Sequence, residues 1–353
     1  MSDDARWVAG LEAWARERLS ASVLDYVVQG AREGTSSAEA PGAWREHRLL
    51  PHVLRDTTTV DPGVDLLGRR HPHPLVVAPT TLHRAVHPDG ELAMARAVAS
   101  HDGLLVVSSN AGTPFAAIGA TGVRWWVQCY LPADRRLAEP LLDRAVDAGA
   151  GAVVLTVDTP VVGTKYASPG VPVVWDEVDP ALLRVNFDAG YDGAPGSEKA
   201  LDLGPADLAR LTKRTGLPVV VKGVLRPDDA RLAVDAGAAA VWVSNHGGRQ
   251  LDRAVPTARA LAPVATAVGE RVPVLVDGGV RSGLDVVTAL ALGASAVALG
   301  RLPLYALSGG EDGVTRLLGE LRSQTVETMR LAGARTAAET RSLVAPTPLY
   351  DGV

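Results

Sequence analysis

The chain has 353 residues, 47% of them hydrophobic and 21% charged, with a formal net charge of −5. That composition excludes a disordered chain and allows one large α/β barrel or two ordinary domains. The acidic balance without any basic tract excludes nucleic acid as a partner, and the single cysteine, Cys129, excludes an internal disulfide framework and fits a reducing compartment.

Met1 to Gly10 carry acids and an arginine where a secretory signal would need an apolar core. Residues 5–31 predict two short helices. Trp7, Leu11, Trp14 and Leu19 fall near helical spacing, and Val23, Leu24, Val27 and Val28 make a second apolar stripe that carries Tyr26. Gly30 and Gly34 end it. Residues 32–74 are rich in Pro, His and Arg and predict irregular chain with a small hairpin near 57–70. This leader, 1–74, is too short for a domain of its own and is expected to cover one end of the domain after it.

From Pro74 a rhythm sets in. Short apolar runs occur at Leu75–Ala78, Leu104–Val107, Trp125–Tyr130, Ala152–Val157, Pro218–Lys222, Ala238–Val243, Pro273–Val276 and Ser295–Leu299. Helical stretches near 89–101, 135–149, 205–215, 227–237, 257–269, 283–293 and 311–332 lie between and after them. Continuous apolar strands alternating with helices imply a parallel sheet covered on both faces. Eight such units predict a single α/β domain, a TIM (β/α)8 barrel over 75–310, with a C-terminal helix and tail at 311–353. One connection breaks the rhythm. Residues 160–204 are rich in Pro, Gly and Asp, and a loop of that length after the fourth strand predicts a lid. No run approaches the roughly 20 apolar residues of a membrane span, and the C-terminal Tyr350-Asp351-Gly352-Val353 lacks a peroxisomal address. The expected location is the cytoplasm.

The chemistry of such a barrel lies at the C-terminal ends of its strands. Those ends read Ala78-Pro79-Thr80-Thr81, Ser108-Ser109-Asn110, Gln128-Cys129-Tyr130, Thr156-Val157-Asp158-Thr159-Pro160 and Lys222-Gly223, then Ser244 with His246, Asp277-Gly278-Gly279-Val280-Arg281, and Gly300-Arg301. Polar groups at every strand mouth are hard to explain as packing. Period-two alternation puts Gln128 with Tyr130, Thr156 with Asp158 and Ser244 with His246, and turns Cys129 toward the helix layer. At the last two strands, Gly278 and Gly279 offer backbone N–H groups while Arg281 and Arg301 supply positive charge, which predicts a phosphate site without naming the ligand.

The sixth strand runs into Val243-Ser244-Asn245-His246-Gly247-Gly248-Arg249-Gln250-Leu251-Asp252. The glycines permit a sharp turn, the histidine is a proton acceptor near neutral pH, and the arginine can grip a carboxylate with two parallel hydrogen bonds. This string predicts a site that holds an organic acid and removes its proton. It closely resembles the active-site signature of the FMN-dependent 2-hydroxy-acid oxidases and dehydrogenases, and the resemblance extends over residues 5 to 340 with the motifs in family order.

The resemblance implies FMN as cofactor, with Lys222 beside N1 and O2 of the flavin. Ala78, Pro79, Thr80, Ser108, Gln128, Thr156 and Ser244 are implied around the isoalloxazine, and Asp277, Gly279, Arg281, Gly300 and Arg301 around the ribityl phosphate. His246 matches the catalytic base, Asp158 the carboxylate that pairs with it, and Arg249 the substrate-carboxylate clamp. Tyr26 and Tyr130 match the two tyrosines at the substrate. The implied reaction takes an L-2-hydroxy acid to the 2-oxo acid, by hydride transfer or through a carbanion, with oxygen (giving hydrogen peroxide) or another acceptor reoxidising the flavin. The implied assembly is a homo-oligomer, a tetramer by analogy.

Three departures bear on the substrate. A paired-arginine segment of the family reads Gly163-Thr164-Lys165 here, so that Lys165 keeps a charge near the substrate without the planar fork. Asn110 replaces a tryptophan of the short-chain oxidases, and Thr81 replaces an alanine or glycine near the flavin. Together they predict a substrate larger or more polar than glycolate, first an aromatic acid such as mandelate or hydroxymandelate, second a specialised biosynthetic intermediate. The membrane anchor that some relatives carry in the loop after strand four is replaced by polar, acidic chain. An FMN-dependent isomerase on the same barrel is the alternative reading.

Overall fold

A computed structural model describes residues 7–344, so the first six residues and the tail from Ala345 to Val353 lie outside the described chain. Ten strands form. Two make an antiparallel hairpin, β1 (Val64–Leu66) and β2 (Arg69–His71). The other eight are β3 (Leu75–Val77), β4 (Leu104–Ser108), β5 (Arg124–Cys129), β6 (Val153–Thr156), β7 (Val219–Val224), β8 (Ala240–Val243), β9 (Val274–Val276) and β10 (Ala296–Leu299). They close into one parallel barrel in which β10 pairs with β3. Each coincides with one of the eight apolar runs to within three residues at either end, because those side chains are buried on both faces of the sheet.

The leader forms α1 (Trp7–Arg16), α2 (Ala21–Val28) and α3 (Thr35–Arg45). Helices α4 (His83–Val86) and α5 (Gly90–Ser100) come after β3, α6 (Phe115–Gly119) after β4, and α7 (Glu139–Asp147) after β5. Then come α8 (Pro205–Thr215), α9 (Pro227–Asp235), α10 (Thr257–Val268) and α11 (Gly283–Ala291) after β6 to β9, and α12 (Arg301–Leu307) and α13 (Gly310–Leu331) after β10. The expectation of irregular chain over 32–74 is corrected at α3. With Pro41 and Gly42 inside it, this helix has weak local propensity and is set by tertiary contacts. Ser36 N–H donates to Asp252 Oδ1 (2.9 Å), and Trp44 Nε1–H donates to the Gly278 carbonyl (2.8 Å). Short α4, α6 and α12 offer too few residues for a periodic signal.

The barrel interior is packed by Val76, Leu104, Val106, Trp126, Val154, Val220, Trp242 and Leu275, and the hairpin adds Val64 and Leu66 to it. The hairpin sits at the N-terminal mouth, where Arg124 at the start of β5 donates to the Arg70 carbonyl. At the opposite mouth Ala31 N–H donates to the Gly248 carbonyl (2.8 Å). The leader therefore covers both ends of the barrel, not the single end its length suggested. Cys129 is buried in the outer layer between sheet and helices, on the side its alternation predicts.

The long loop is ordered by specific contacts. It carries three one-turn 3-10 helices, Val174–Asp176, Pro180–Leu183 and Tyr191–Gly193. Buried Asn186 accepts from Phe115 N–H (2.9 Å) and donates to the carbonyls of Ala111 and Thr113, which pins the loop to the β4 connection. Glu177 accepts from the hydroxyls of Ser20 and Ser22 at the start of α2.

Candidate active site

The strand mouths, α2 and the 160–204 loop enclose a cleft of about 610 Å3, within the usual range for a small-molecule site. His246 lines it. Its backbone has φ +58°, and Gly247 and Gly248 continue at +65° and +74°. Three successive left-handed residues fold the chain back under the histidine, and only the glycines adopt that conformation without strain. His246 Nδ1 lies 2.9 Å from Asp158 Oδ1, which also accepts from the Thr159 hydroxyl at 3.0 Å. Gly223, at φ +114°, lets Asp158 come close, since a β-carbon there would stand 2.7 Å from that of Asp158.

Burial, and then the Lys222 charge, hold the His246 pKa below its ordinary 6.5 despite Asp158. Burial works to raise the Asp158 pKa, but the hydrogen bond from His246 and the Lys222 charge outweigh it and leave the carboxyl below its usual range. A neutral imidazole beside a carboxylate donates from Nδ1, which leaves the Nε2 lone pair for a proton.

Behind the histidine runs one polar network. Buried Lys222 donates to Ser244 Oγ (2.9 Å) and lies 3.4 Å from Asp277, Ser244 donates to Asp277 Oδ1 (2.8 Å), and His246 N–H donates to Ser244 Oγ (3.0 Å). On the facing strands Ser108 donates to Gln128 Oε1 (3.3 Å) and Gln128 donates to Thr156 Oγ1 (3.0 Å). Ala78, Pro79 and Thr80 complete this wall, with Thr80 Oγ1 bonded to His83 Nε2 at 2.7 Å. Ser244 and Asp158 stand one layer back, holding the residues that face the cleft.

At the other end lie Gly279, Gly300, Arg281 and Arg301. Among the described residues neither guanidinium has a carboxylate within 4 Å, although the Arg281 backbone N–H donates to Asp285 Oδ2 at 2.8 Å. Arg301 donates to the carbonyls of Val27 (3.1 Å), Gln29 (3.2 Å) and Gly247 (3.0 Å), and burial with Arg249 nearby lowers its pKa to about 10. Two guanidinium groups without carboxylate partners beside the glycine turn at Gly278 and Gly279 suit a phosphate.

Arg249 donates to the carbonyls of Tyr26 (2.8 Å) and Gln29 (2.7 Å), with its guanidinium 4.9 Å from the Tyr26 ring centroid. The Tyr26 hydroxyl pairs with Thr81 Oγ1 (3.2 Å), and its ring meets Trp175 edge-on at 5.8 Å. Lys165 donates to the Gly163 carbonyl (2.8 Å), and burial, then Arg249, lowers its pKa to about 8. Burial also raises the Tyr130 pKa. Asn110 accepts from Arg184 (3.2 Å).

Every site residue read from the sequence thus falls in or directly behind one cleft. Four others were not foreseen there: Lys199, whose ammonium stands 3.9 Å from the Tyr130 ring centroid, Trp175, Arg184 and Thr159. The first three come from the long loop, which has no periodicity to place them. Thr159 adjoins Asp158, and its hydroxyl was the only available signal.

A barrel whose mouth pairs a base with a carboxylate, and whose last two strands present guanidinium groups without carboxylate partners, has the site of an α/β-barrel enzyme for a phosphate-bearing cofactor. Residues 15–346 match the model of the FMN-dependent dehydrogenase family, and the chain belongs to that family. It is 39% identical to the 4-hydroxymandelate oxidase of Amycolatopsis orientalis, over 95% of this chain and 97% of that one. It is 38% identical to the L-lactate oxidase of Roseobacter sp. (strain GAI101), covering 94% and 92% of the two chains. A crystal structure of mandelate oxidase superimposes with a TM-score of 0.85 at 37% identity, over 95% of this chain and 97% of that one. The protein is an FMN-dependent 2-hydroxy-acid oxidoreductase. No helix among the described residues is long and apolar enough to cross a membrane.

Proposed function

We propose that the protein oxidises an aromatic 2-hydroxy acid of the mandelate type to the 2-oxo acid, with oxygen as the acceptor. The observation that carries the reading is the His246–Asp158 pair at 2.9 Å, facing a cleft with a cationic end and an apolar wall. Arg281, Arg301, Gly279 and Gly300 would hold the FMN phosphate. Lys222, Gln128, Thr156, Ser108, Thr80, Pro79 and Ala78 would flank the ring. Bound there, FMN supplies the two-electron acceptor.

The chain's own residues do the rest. Arg249 orients the substrate carboxylate. His246 Nε2 takes a proton from the substrate, and Asp158, already bonded to Nδ1, stabilises the imidazolium that forms. Tyr130 positions the reacting hydroxyl, and Tyr26 closes the carboxylate end. An aromatic side chain is favoured by Trp175, Val174 and Leu183, which the long loop adds to the wall. The test is anaerobic addition of mandelate, lactate and glycolate in turn to the purified holoenzyme. Mandelate should bleach the flavin band fastest, and air should restore the band with formation of hydrogen peroxide. Faster bleaching by glycolate would overturn the aromatic assignment.

A further inference from the structure

We propose that Lys199, aided by Lys165, is a specificity residue that selects 2-hydroxy acids bearing a second negative group on the ring, such as a ring carboxylate. This role rests on the aromatic substrate proposed for the same cleft and narrows it.

Lys199 is fixed by backbone pairing, unlike an ordinary loop lysine. Residues 198–200 run antiparallel to the chain just after β5: Ala133 N–H donates to the Glu198 carbonyl (2.7 Å), Ala200 N–H donates to the Leu131 carbonyl (2.9 Å), and Pro132 opposes Lys199. This ladder sets the ammonium over the face of Tyr130, 3.9 Å from its centroid. An ammonium carries three donors. Among the described residues, that of Lys199 finds no hydrogen-bond acceptor and no carboxylate within 4 Å.

The surrounding charges leave that capacity open. Asp158 uses Oδ1 for His246 and Thr159. Although its charge reaches Lys199 and its Oδ2 has no partner among the described residues, it makes no contact with that ammonium inside 4 Å. Asp25, the other acid at this end, is taken by Ser168 and Gln29. Beside these acids stand cations in sequence: Arg249 acts on Lys165, and Lys165 acts on Lys199 against the pull of Asp158. Burial lowers both lysines to about 8, helped at Lys165 by Arg249; at Lys199 the pull of Asp158 works against burial and Lys165 but does not offset them. A single carboxylate gripped by Arg249 leaves the Lys199 end unanswered. An aromatic ring held in this cleft beside Tyr130 would come within reach of Lys199, and an anionic substituent on it would supply the missing acceptor.

The test compares 4-carboxymandelate with 4-nitromandelate, whose planar ring substituents have the same number of heavy atoms and differ by one charge. It uses the holoenzyme, reading kcat/KM and the binding of the matching 2-oxo acids by the shift of the flavin band. The wild type should prefer the carboxylate by about tenfold or more, the scale of one charge-assisted hydrogen bond. Lys199→Met should bring the ratio near unity, and Lys199→Arg should restore it. An unchanged visible spectrum in each variant certifies an intact site. A wild-type ratio near one, or a ratio that survives in Lys199→Met, overturns this proposal and leaves the aromatic reading standing. Reduction by lactate or glycolate with neither mandelate accepted overturns both.

Discussion

His246 can act as a base because both of its nitrogens are assigned by the fold. Nδ1 is bonded to Asp158, and burial keeps the ring neutral so that Nε2 holds a lone pair. The protonation state sets the sign of the pH dependence. A group that must be unprotonated loses activity as pH falls through its pKa, and this pKa lies below 6.5. We expect kcat/KM for the hydroxy acid to hold from neutrality down past pH 6.5 and then fall about tenfold per unit. Asp158→Asn removes a charge that raises the histidine pKa. The acid limb should move lower still and the rate of flavin reduction should drop by roughly 10²–10⁴-fold, the range of general-base catalysis. A limb centred above pH 6.5 would remove His246 from this role. At this scale the sequence was most legible where a strand precedes the residue, since period two and a polar strand mouth identify Lys222, Asp158 and Gln128. Lys199 was illegible because its position depends on pairing with residues 131–133, across a sequence separation that no local pattern spans.

Helix α2 ends inside the site, and its last carbonyls are held by two arginines, one from the turn after β8 and one at the start of α12. Arg249 takes Tyr26 and Gln29, and Arg301 takes Val27 and Gln29. Cations at a helix C-terminus are favourable, and these also fix where the Tyr26 ring stands. Arg301→Met should cost about 1–3 kcal/mol of stability by leaving part-buried carbonyls unanswered. It should also weaken FMN retention, read by the flavin released on gel filtration. Retention equal to wild type would move the phosphate contact to Arg281 alone. Helix α3 makes the companion case. It packs on Gly248, where a β-carbon would stand 2.5 Å from Ser37 N and φ is +74°. Gly248→Ala should therefore destabilise by at least about 1–3 kcal/mol through backbone strain and displaced contact, measured as a lower denaturant midpoint. A midpoint like that of wild type would mean that α3 yields freely. The eight strands and seven long helices could be read because burial repeats along them. Helix α3 could not, since Pro41 and Gly42 argue against it locally and its partners, Asp252 and Gly278, lie more than 200 residues away.

On the scale of the whole molecule the leader joins two separate tasks. Its hairpin fills the N-terminal mouth of the barrel, while α2 and α3 finish the catalytic mouth. Chemistry and stability should then be separable by end, as barrels of this kind place reactive groups at one mouth only. Leu66 tests this. It is 2% exposed within the interior cluster of Trp126, Trp242 and Leu275, and it stands at the mouth away from His246. Leu66→Ala leaves a cavity there, and such truncations cost about 2–5 kcal/mol. A drop in Tm of several degrees is expected, read by calorimetry on the holoenzyme. The layers of Val, Leu and Trp side chains between the two mouths are close-packed and resist deformation. The flavin spectrum and kcat at 25 °C should accordingly stay close to those of wild type. If kcat fell several-fold in protein still folded by circular dichroism, the two mouths would be mechanically linked, and the leader would set the position of Tyr26 from both ends of the barrel at once.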